Sequence, residues 1–386
     1  MLTHLAPSNS RLYGPPFDSN PPMDESSDTE DSDVCSLTSS SIFSPPPSVA
    51  TSRTSYVPSA RSASPVPSVW SMTSSMRAQA YKHEYGRGLN NYSEVYRLPA
   101  DDEELERLDA QHLIFMEIMG KYPPCMEEVM ADDVPGETKA VLDLGCGSGS
   151  WIMDVARDFP HCSAVAVDLV PMQSISYCLE HLSCSPLRSE VDDINLGLEH
   201  FYGDFNVVHA RLISSGVKDY EGLINHISMV LRPGGLIDLM EFDFSIYDEH
   251  HRRIEVDTSK IGEPWLPRWM AFANFAVRNR GGDADAATYL ESWVSNHPAF
   301  ENVNYQDHWI PTCDWITESD FLMRIGASLR DDILAFLKSG RPLLLSSGIP
   351  EDLVDELEAN ATQELLFTKP RHYVRLQYLN ARKRHD

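Results

Sequence analysis

The chain has 386 residues, too many for one minimal domain and too few for three ordinary ones, and its 42% hydrophobic content allows a sizeable core. Its 58 Asp and Glu against 31 Lys and Arg give a formal net charge of −27, which argues against direct binding to nucleic acid or to an anionic membrane surface, both of which need a basic footprint. No apolar run approaches about 18 residues and the N-terminus lacks a basic stretch followed by an apolar one, so neither a membrane span nor a secretory signal is expected.

Residues 1–80 hold 21 Ser and 11 Pro. Such a segment cannot bury enough apolar surface to offset its conformational entropy, and a disordered N-terminal tail is predicted. Within it, residues 24–33 (DESSDTEDSD) form a solvated acidic serine run that also offers phosphorylation sites and a contact for protein partners. Residues 44–48 (SPPPS) read as a short polyproline stretch or linker. From Tyr81 the pattern becomes globular. Asp101, Asp102, Glu103 and Glu104 open a helix over residues 101–121, since acids favour its positive N-terminal end. Leu105, Leu108, His112, Phe115, Met116 and Met119 recur there at helical spacing until Pro123 and Pro124 stop it. A short acidic helix is predicted at 125–131.

Strands and helices then alternate through residues 138–242. Strands are predicted at 139–144 (KAVLDL), 163–169 (SAVAVDL), 190–194, 205–210 (FNVVHA) and 236–242 (LIDLMEF). Helices are predicted at 150–159, 171–183 and 217–231, the last ended by Arg232-Pro233-Gly234-Gly235. This alternation implies an α/β fold with a mostly parallel sheet covered on both faces. Residues 243–300 read as a helical cap carrying Trp265, Trp269, Phe272, Phe275 and Trp293, with Met270 nearby; such a group either lines an apolar pocket or packs the cap itself. Two further strands, 303–310 and 372–379, flank a helical insertion at 317–366, within C-terminal strands and helices spanning 301–386. Arg382-Lys383-Arg384 is a frayed basic end or a nuclear signal. The seven cysteines are odd in number and contain no C-x-x-C, which points to a reducing compartment, cytoplasmic or nuclear. Cys178, His181 and Cys184 have C-x-x-H-x-x-C spacing but no evident fourth ligand, so a helix is expected there and no metal site.

The densest chemical signal is Asp143-Leu144-Gly145-Cys146-Gly147-Ser148-Gly149-Ser150. Glycines end a strand and start a helix, where the backbone turns tightly and a ligand can approach it. Asp168 ends the next strand, 19 residues after Gly149, where a carboxylate can accept both hydroxyls of a ribose. The spacing is G-x-G-x-G rather than the dinucleotide G-x-G-x-x-G, and an acid beside the loop suits a cationic cofactor better than a pyrophosphate. The pattern resembles motif I of class I methyltransferases, which implies a Rossmann-like sheet whose last strand is antiparallel, and S-adenosyl-L-methionine as cofactor. The resemblance extends to Phe205-Asn206-Val207-Val208-His209-Ala210-Arg211, although Asn206 stands where the family usually has Asp.

Glu84-Tyr85-Gly86-Arg87, Asn91-Tyr92, the run from Tyr96 to His112, the block from Val167 to Gln173 and Leu231-Arg232-Pro233-Gly234-Gly235 narrow the resemblance to the fungal LaeA-like (TAM-domain) methyltransferases. It covers residues 81–386 and implies a methyltransferase domain acting in fungal secondary metabolism, either on a small-molecule methyl acceptor or as a regulator working through protein partners. A nicotinamide-dependent oxidoreductase is disfavoured by the glycine spacing. By this resemblance Asp143, Gly145, Cys146, Gly147, Gly149, Asp168, Leu169 and His209 contact the cofactor, with Asp193 (Asp192 as the alternate) and Ile194 at the adenine. Arg87, Tyr92 and Arg107 would form a lid. His209 and Glu241, at the carboxyl ends of neighbouring strands, are the candidate catalytic residues. The alternatives are a hydrogen-bonding role for His209 and an ion pair with Arg211 for Glu241.

Overall fold

Regular structure is present ahead of Tyr81. In the computed structural model, which describes residues 73–172 and 186–385, α1 (Ser74–Gln79) precedes a hairpin of β1 (Tyr81–Glu84) and β2 (Arg87–Asn90), and Ala80 between them is fully buried. Residues 74–80 therefore do not belong to the predicted tail. The acidic serine run, the Cys178–His181–Cys184 triplet and nearly all of the helix predicted at 171–183 lie outside the described residues; Pro171 and Met172 are not helical.

In α2 (Asp102–Met119), the Asp101 side chain caps the helix by accepting the Glu104 N–H, and three acids fill the first turn. The helix buries Glu104, Arg107 and His112 beside Ile114 and Phe115, an unusually polar inner face. A short α3 (Met126–Val129) follows.

The sheet begins with β3 (Ala140–Leu144), buried along its whole length as a strand covered on both faces must be. It continues through α4 (Ser150–Asp158), β4 (Ser163–Asp168), β5 (Leu187–Val191), β6 (Phe205–Arg211), α5 (Tyr220–Val230) and β7 (Leu231–Tyr247). Next come α6 (Trp265–Asn279), α7 (Ala286–Asn296), β8 (Phe300–Pro311), α8 (Asp320–Ser339), α9 (Arg341–Ser346), α10 (Glu351–Gln363) and β9 (Tyr373–Lys383). The strand order is β5-β4-β3-β6-β7-β9-β8. β3 to β7 run parallel, and β9 is antiparallel to both β7 and β8. This is the Rossmann-like arrangement, last strand reversed, that the resemblance implied.

Three departures have local causes. β5 ends at Val191 instead of 194, because Asp193 caps a 3-10 turn at Ile194–Leu196. β7 absorbs the Arg232-Pro233-Gly234-Gly235 segment as an irregularity: Phe205 pairs with Leu231 and Val207 with Leu236, and Gly234 takes positive φ. The same strand runs on to Tyr247 because Phe244 and Ile246 enter the core, so the cap starts later than residue 243. Of the cap aromatics, Trp269 is core and Phe275 is exposed, while Trp293 on α7 packs against Tyr220 on the sheet's helical layer.

Packing follows three clusters. α3 and α4 cover one face of the sheet through Met126, Trp151, Ile152 and Val155. α5 and α7 cover the other through Tyr220, Ile224, Ile227 and Leu290. Helices α6, α8, α9 and α10 gather around Phe244, Ile246, Val374 and Leu376, at the carboxyl end of the parallel strands, and form a helical cap there. No helix among the described residues is long and apolar enough to cross a membrane.

Candidate active site

The chain leaves β3 toward β4 and β5 and returns on the opposite side to β6, so a crevice opens between the carboxyl ends of β3 and β6. A cavity of about 180 Å³ occupies it. The loop after β3 forms its floor. Gly145, Gly147 and Gly149 all have positive φ, and a side chain on Gly145 would overlap Ile213. The Gly145 and Cys146 N–H groups donate to the Val167 carbonyl at 2.8 and 3.0 Å, and the Gly147 N–H donates to Asp168 at 2.9 Å. These donors are engaged within the protein, so the loop does not offer a pyrophosphate the cradle of free N–H groups it requires.

Asp143, Gly145, Cys146, Gly147, Asp168, Leu169, Asp192, Asp193, Ile194, His209 and Arg107 all line this cavity. Gly149 does not: it stands behind the loop, where any side chain would overlap the Met172 sulfur, so its role is to let α4 start close to Met172. Burial pushes the Asp168 carboxyl up to about 6 against the opposing N–H groups of Gly147, Val170 and Leu169. Burial also raises Asp143, and it is the largest influence on that carboxyl. Asp193 accepts the Asn195 N–H at 3.0 Å, and Asp192 accepts the Asp193 N–H at 2.8 Å, so both acids stand at the rim in fixed orientations.

Register lines up a polar row across four strands: Asp143 beside His209, His209 beside Asp238, Asp238 beside Asn380. The His209 Nδ1–H donates to Asp238 at 2.8 Å, and the ring stacks on Trp151 at 3.8 Å between centroids. That tautomer leaves Nε2 with a lone pair, and Nε2 is buried with no partner among the described residues. Glu241 is not at the cavity. It sits on the opposite face of β7, fully buried, accepting the Ile213 and Ser214 N–H groups at 2.8 and 3.1 Å. The alternative for Glu241, an ion pair with Arg211, does not form either, because Arg211 lies on the His209 face; its Nη1 donates to His112 Nδ1 at 3.2 Å. Glu241 therefore shapes the turn that carries Ile213, Ser215 and Gly216 to the cavity.

Of the proposed lid, only Arg107 reaches the site. Arg87 is held by Asp101 at 2.7 and 2.8 Å, and Tyr92 is exposed. Tyr96, Leu98, Leu108, Gln111 and Phe115 supply the N-terminal wall instead. Trp151, Asn195 and Arg211 were missed by sequence reasoning, as was the whole contribution of α8. Arg211 was the findable one, two residues beyond His209 on the same face of a strand.

A methyltransferase domain family matches residues 141–235. The secondary metabolism regulator laeA of Coprinopsis cinerea is 49% identical over 304 residues, covering 78% of this chain and 74% of that protein. The chain belongs to the LaeA-like methyltransferases. A second relative, methyltransferase pytC of Aspergillus terreus, is 26% identical over 73% of this chain and 85% of its own length. Among solved structures, phosphoethanolamine N-methyltransferase 2 of Haemonchus contortus, determined with phosphomonomethylethanolamine and S-adenosylhomocysteine, aligns with 16% identity and a TM-score of 0.38 over 72% of this chain; the chain spans 57% of that enzyme's length.

The LaeA-like chain is an S-adenosylmethionine-dependent methyltransferase, and its residues fit that cofactor. The glycine loop leaves room at the end of β3. Asp143 stands at the cavity beside the unpartnered His209 Nε2, and a carboxylate there suits a ligand bearing an ammonium and a sulfonium.

Proposed function

We propose that this LaeA-like protein transfers a methyl group to a small molecule of fungal secondary metabolism. The observation that supports this reading is the cavity itself, which runs on from the glycine loop into an apolar half between β7 and the helical cap. When bound, S-adenosylmethionine supplies a methyl group on a positively charged sulfur, open to in-line displacement. In this reading Asp143 and the loop hold the amino-acid end, Asp168 accepts the ribose hydroxyls, and Asp193 or Asp192 with Ile194 borders the adenine. Asp238 fixes the His209 tautomer so that Nε2 can accept a hydrogen bond or a proton. Alignment of acceptor and methyl supplies most of the rate, up to about 10 kcal/mol, and general-base help adds to it. Incubating the full chain with methyl-labelled S-adenosylmethionine and a fungal metabolite extract tests the reading, and a labelled low-mass product is expected.

A second reading is favoured by the 49% identity to a secondary metabolism regulator. Here the protein controls metabolite production through protein partners, with the acidic serine run of the tail as the contact, in cytosol or nucleus. A protein that binds S-adenosylmethionine yet labels nothing in any extract would support it over the first.

A further inference from the structure

The apolar half of the cavity contains one polar feature. Leu329, Asp332, Ile333 and Phe336 of α8 follow one another at helical spacing and all face the cavity, so a single carboxylate interrupts an apolar stripe. Phe242 and Met270 continue the apolar wall. Asp332 is 9% exposed; its Oδ1 accepts Arg107 Nη1 at 2.8 Å and its Oδ2 accepts Gln111 Nε2 at 3.1 Å.

Arg107 does not require that partner. Glu104 already takes its Nε and Nη2 in a forked pair at 3.1 and 2.6 Å. The group therefore holds two carboxylates for one guanidinium. A second buried carboxylate carries a desolvation cost that the arginine offsets only partly, and burial correspondingly raises the Asp332 pKa. The rest of the cavity adds to the imbalance, with Asp143, Asp168, Asp192 and Asp193 against Arg211. Each Asp332 oxygen also keeps acceptor capacity beyond the one donor it meets.

We infer that the methyl acceptor is an apolar molecule whose polar group is a neutral or cationic hydrogen-bond donor, an amine or a hydroxyl, directed at Asp332, and that carboxylates are excluded. This rests on the methyl-transfer reading above. Apolar area fixes the body of the ligand, and the uncompensated negative charge selects the sign of its head group.

The test uses the full chain saturated with S-adenosylhomocysteine and three matched probes: 4-phenylbutylamine, 4-phenylbutan-1-ol and 4-phenylbutanoate, followed by ligand-observed NMR titration. The amine should bind at least about tenfold more tightly than the carboxylate, with the alcohol between them, and Asp332→Asn should bring amine and alcohol within about threefold of each other. Ile333→Trp, which fills the apolar half without changing its charge, should abolish binding of all three. S-adenosylhomocysteine binding by each variant reports that it has folded, and the wild-type ranking stands without either variant. Carboxylate binding equal to the amine's overturns the inference. So does an amine preference that persists in Asp332→Asn, or amine binding that survives Ile333→Trp and so belongs to the acidic surface. Any of these with S-adenosylhomocysteine still bound leaves the cofactor site standing. Failure of the wild-type chain to bind S-adenosylhomocysteine would instead remove the reading beneath it.

Discussion

Asp168 and Glu241 show how burial turns a carboxylate into a pH-dependent part. With its carboxyl pushed up to about 6 by burial, Asp168 is ionised above that pH and protonated below it. Ribose hydroxyls and a cationic ligand favour the ionised form, so S-adenosylmethionine affinity should be full at pH 7.5 and fall as pH drops through 6. Asp168→Asn should weaken binding by about 1–3 kcal/mol and flatten that profile. Calorimetry at pH 5, 6 and 7.5 checks both, and equal wild-type affinities at the extremes would count against the assignment. Glu241 is raised to about 7, again chiefly by burial. From its ordinary value near 4.5 up to 7 the folded protein binds more protons than the unfolded chain, so this group's contribution to stability declines as pH rises through that window and is level above it. Glu241→Gln keeps an acceptor oxygen for Ile213 and Ser214 and should reduce the slope in urea melts. Glu241→Ala leaves both N–H groups without their acceptor and should cost about 1–3 kcal/mol for each.

Helix α2 is joined to the site by His112, held between Arg211 on β6 and Asp154 on α4, each at 3.2 Å. A guanidinium only donates, so Nδ1 must accept and Nε2–H must donate to Asp154. His112→Leu removes the acceptor for Arg211 and should destabilise the protein by about 1–3 kcal/mol. Hydrogen exchange should quicken in α2 more than in α4, and uniform exchange across both would deny the clamp. Elements of this kind differ in how far they can be read from sequence. β3 and β4 were legible because continuous apolar runs mark strands covered on both faces. The extent of β7 was not, since Pro233-Gly234-Gly235 has the composition of a turn and becomes an irregularity only through pairing with β6. Its far end was missed as well: ending the strand at 242 instead of Tyr247 placed Glu241 at a strand end beside His209, although a side-chain period of two puts Asp238 and Met240 on the site face and Glu241 on the other. The i, i+4 pair Arg107 and Gln111 was visible as a helical face, but no local rule says that α8, more than 200 residues later, lies opposite it.

For the molecule as a whole, every residue placed at the cavity lies between Tyr96 and Leu376. A chain beginning at Thr73 should therefore bind S-adenosylmethionine with the affinity of the full chain, and one beginning at Asp101 should bind more weakly for want of Tyr96 and Leu98. Saturation with S-adenosylmethionine at about 100 times its Kd should stabilise the full chain and the Thr73 chain by about 2.7 kcal/mol, and NAD should not. Thermal melts of the three proteins compare these directly, and a shift with NAD alone would refute the cofactor site.

The insertion between β8 and β9 has a consequence for how such enzymes diversify. Residues 143–216 supply walls around the glycine loop, whereas α8 enters in the segment between β8 and β9, two strands that pair with each other. On the acceptor reading proposed above, a change in α8 alters the apolar half of the cavity and leaves the glycine loop as it is. A chimera carrying residues 320–363 from a relative with a different acceptor should inherit the donor's substrate preference and keep this chain's affinity for S-adenosylmethionine; one that changes both would show that the two halves do not vary separately.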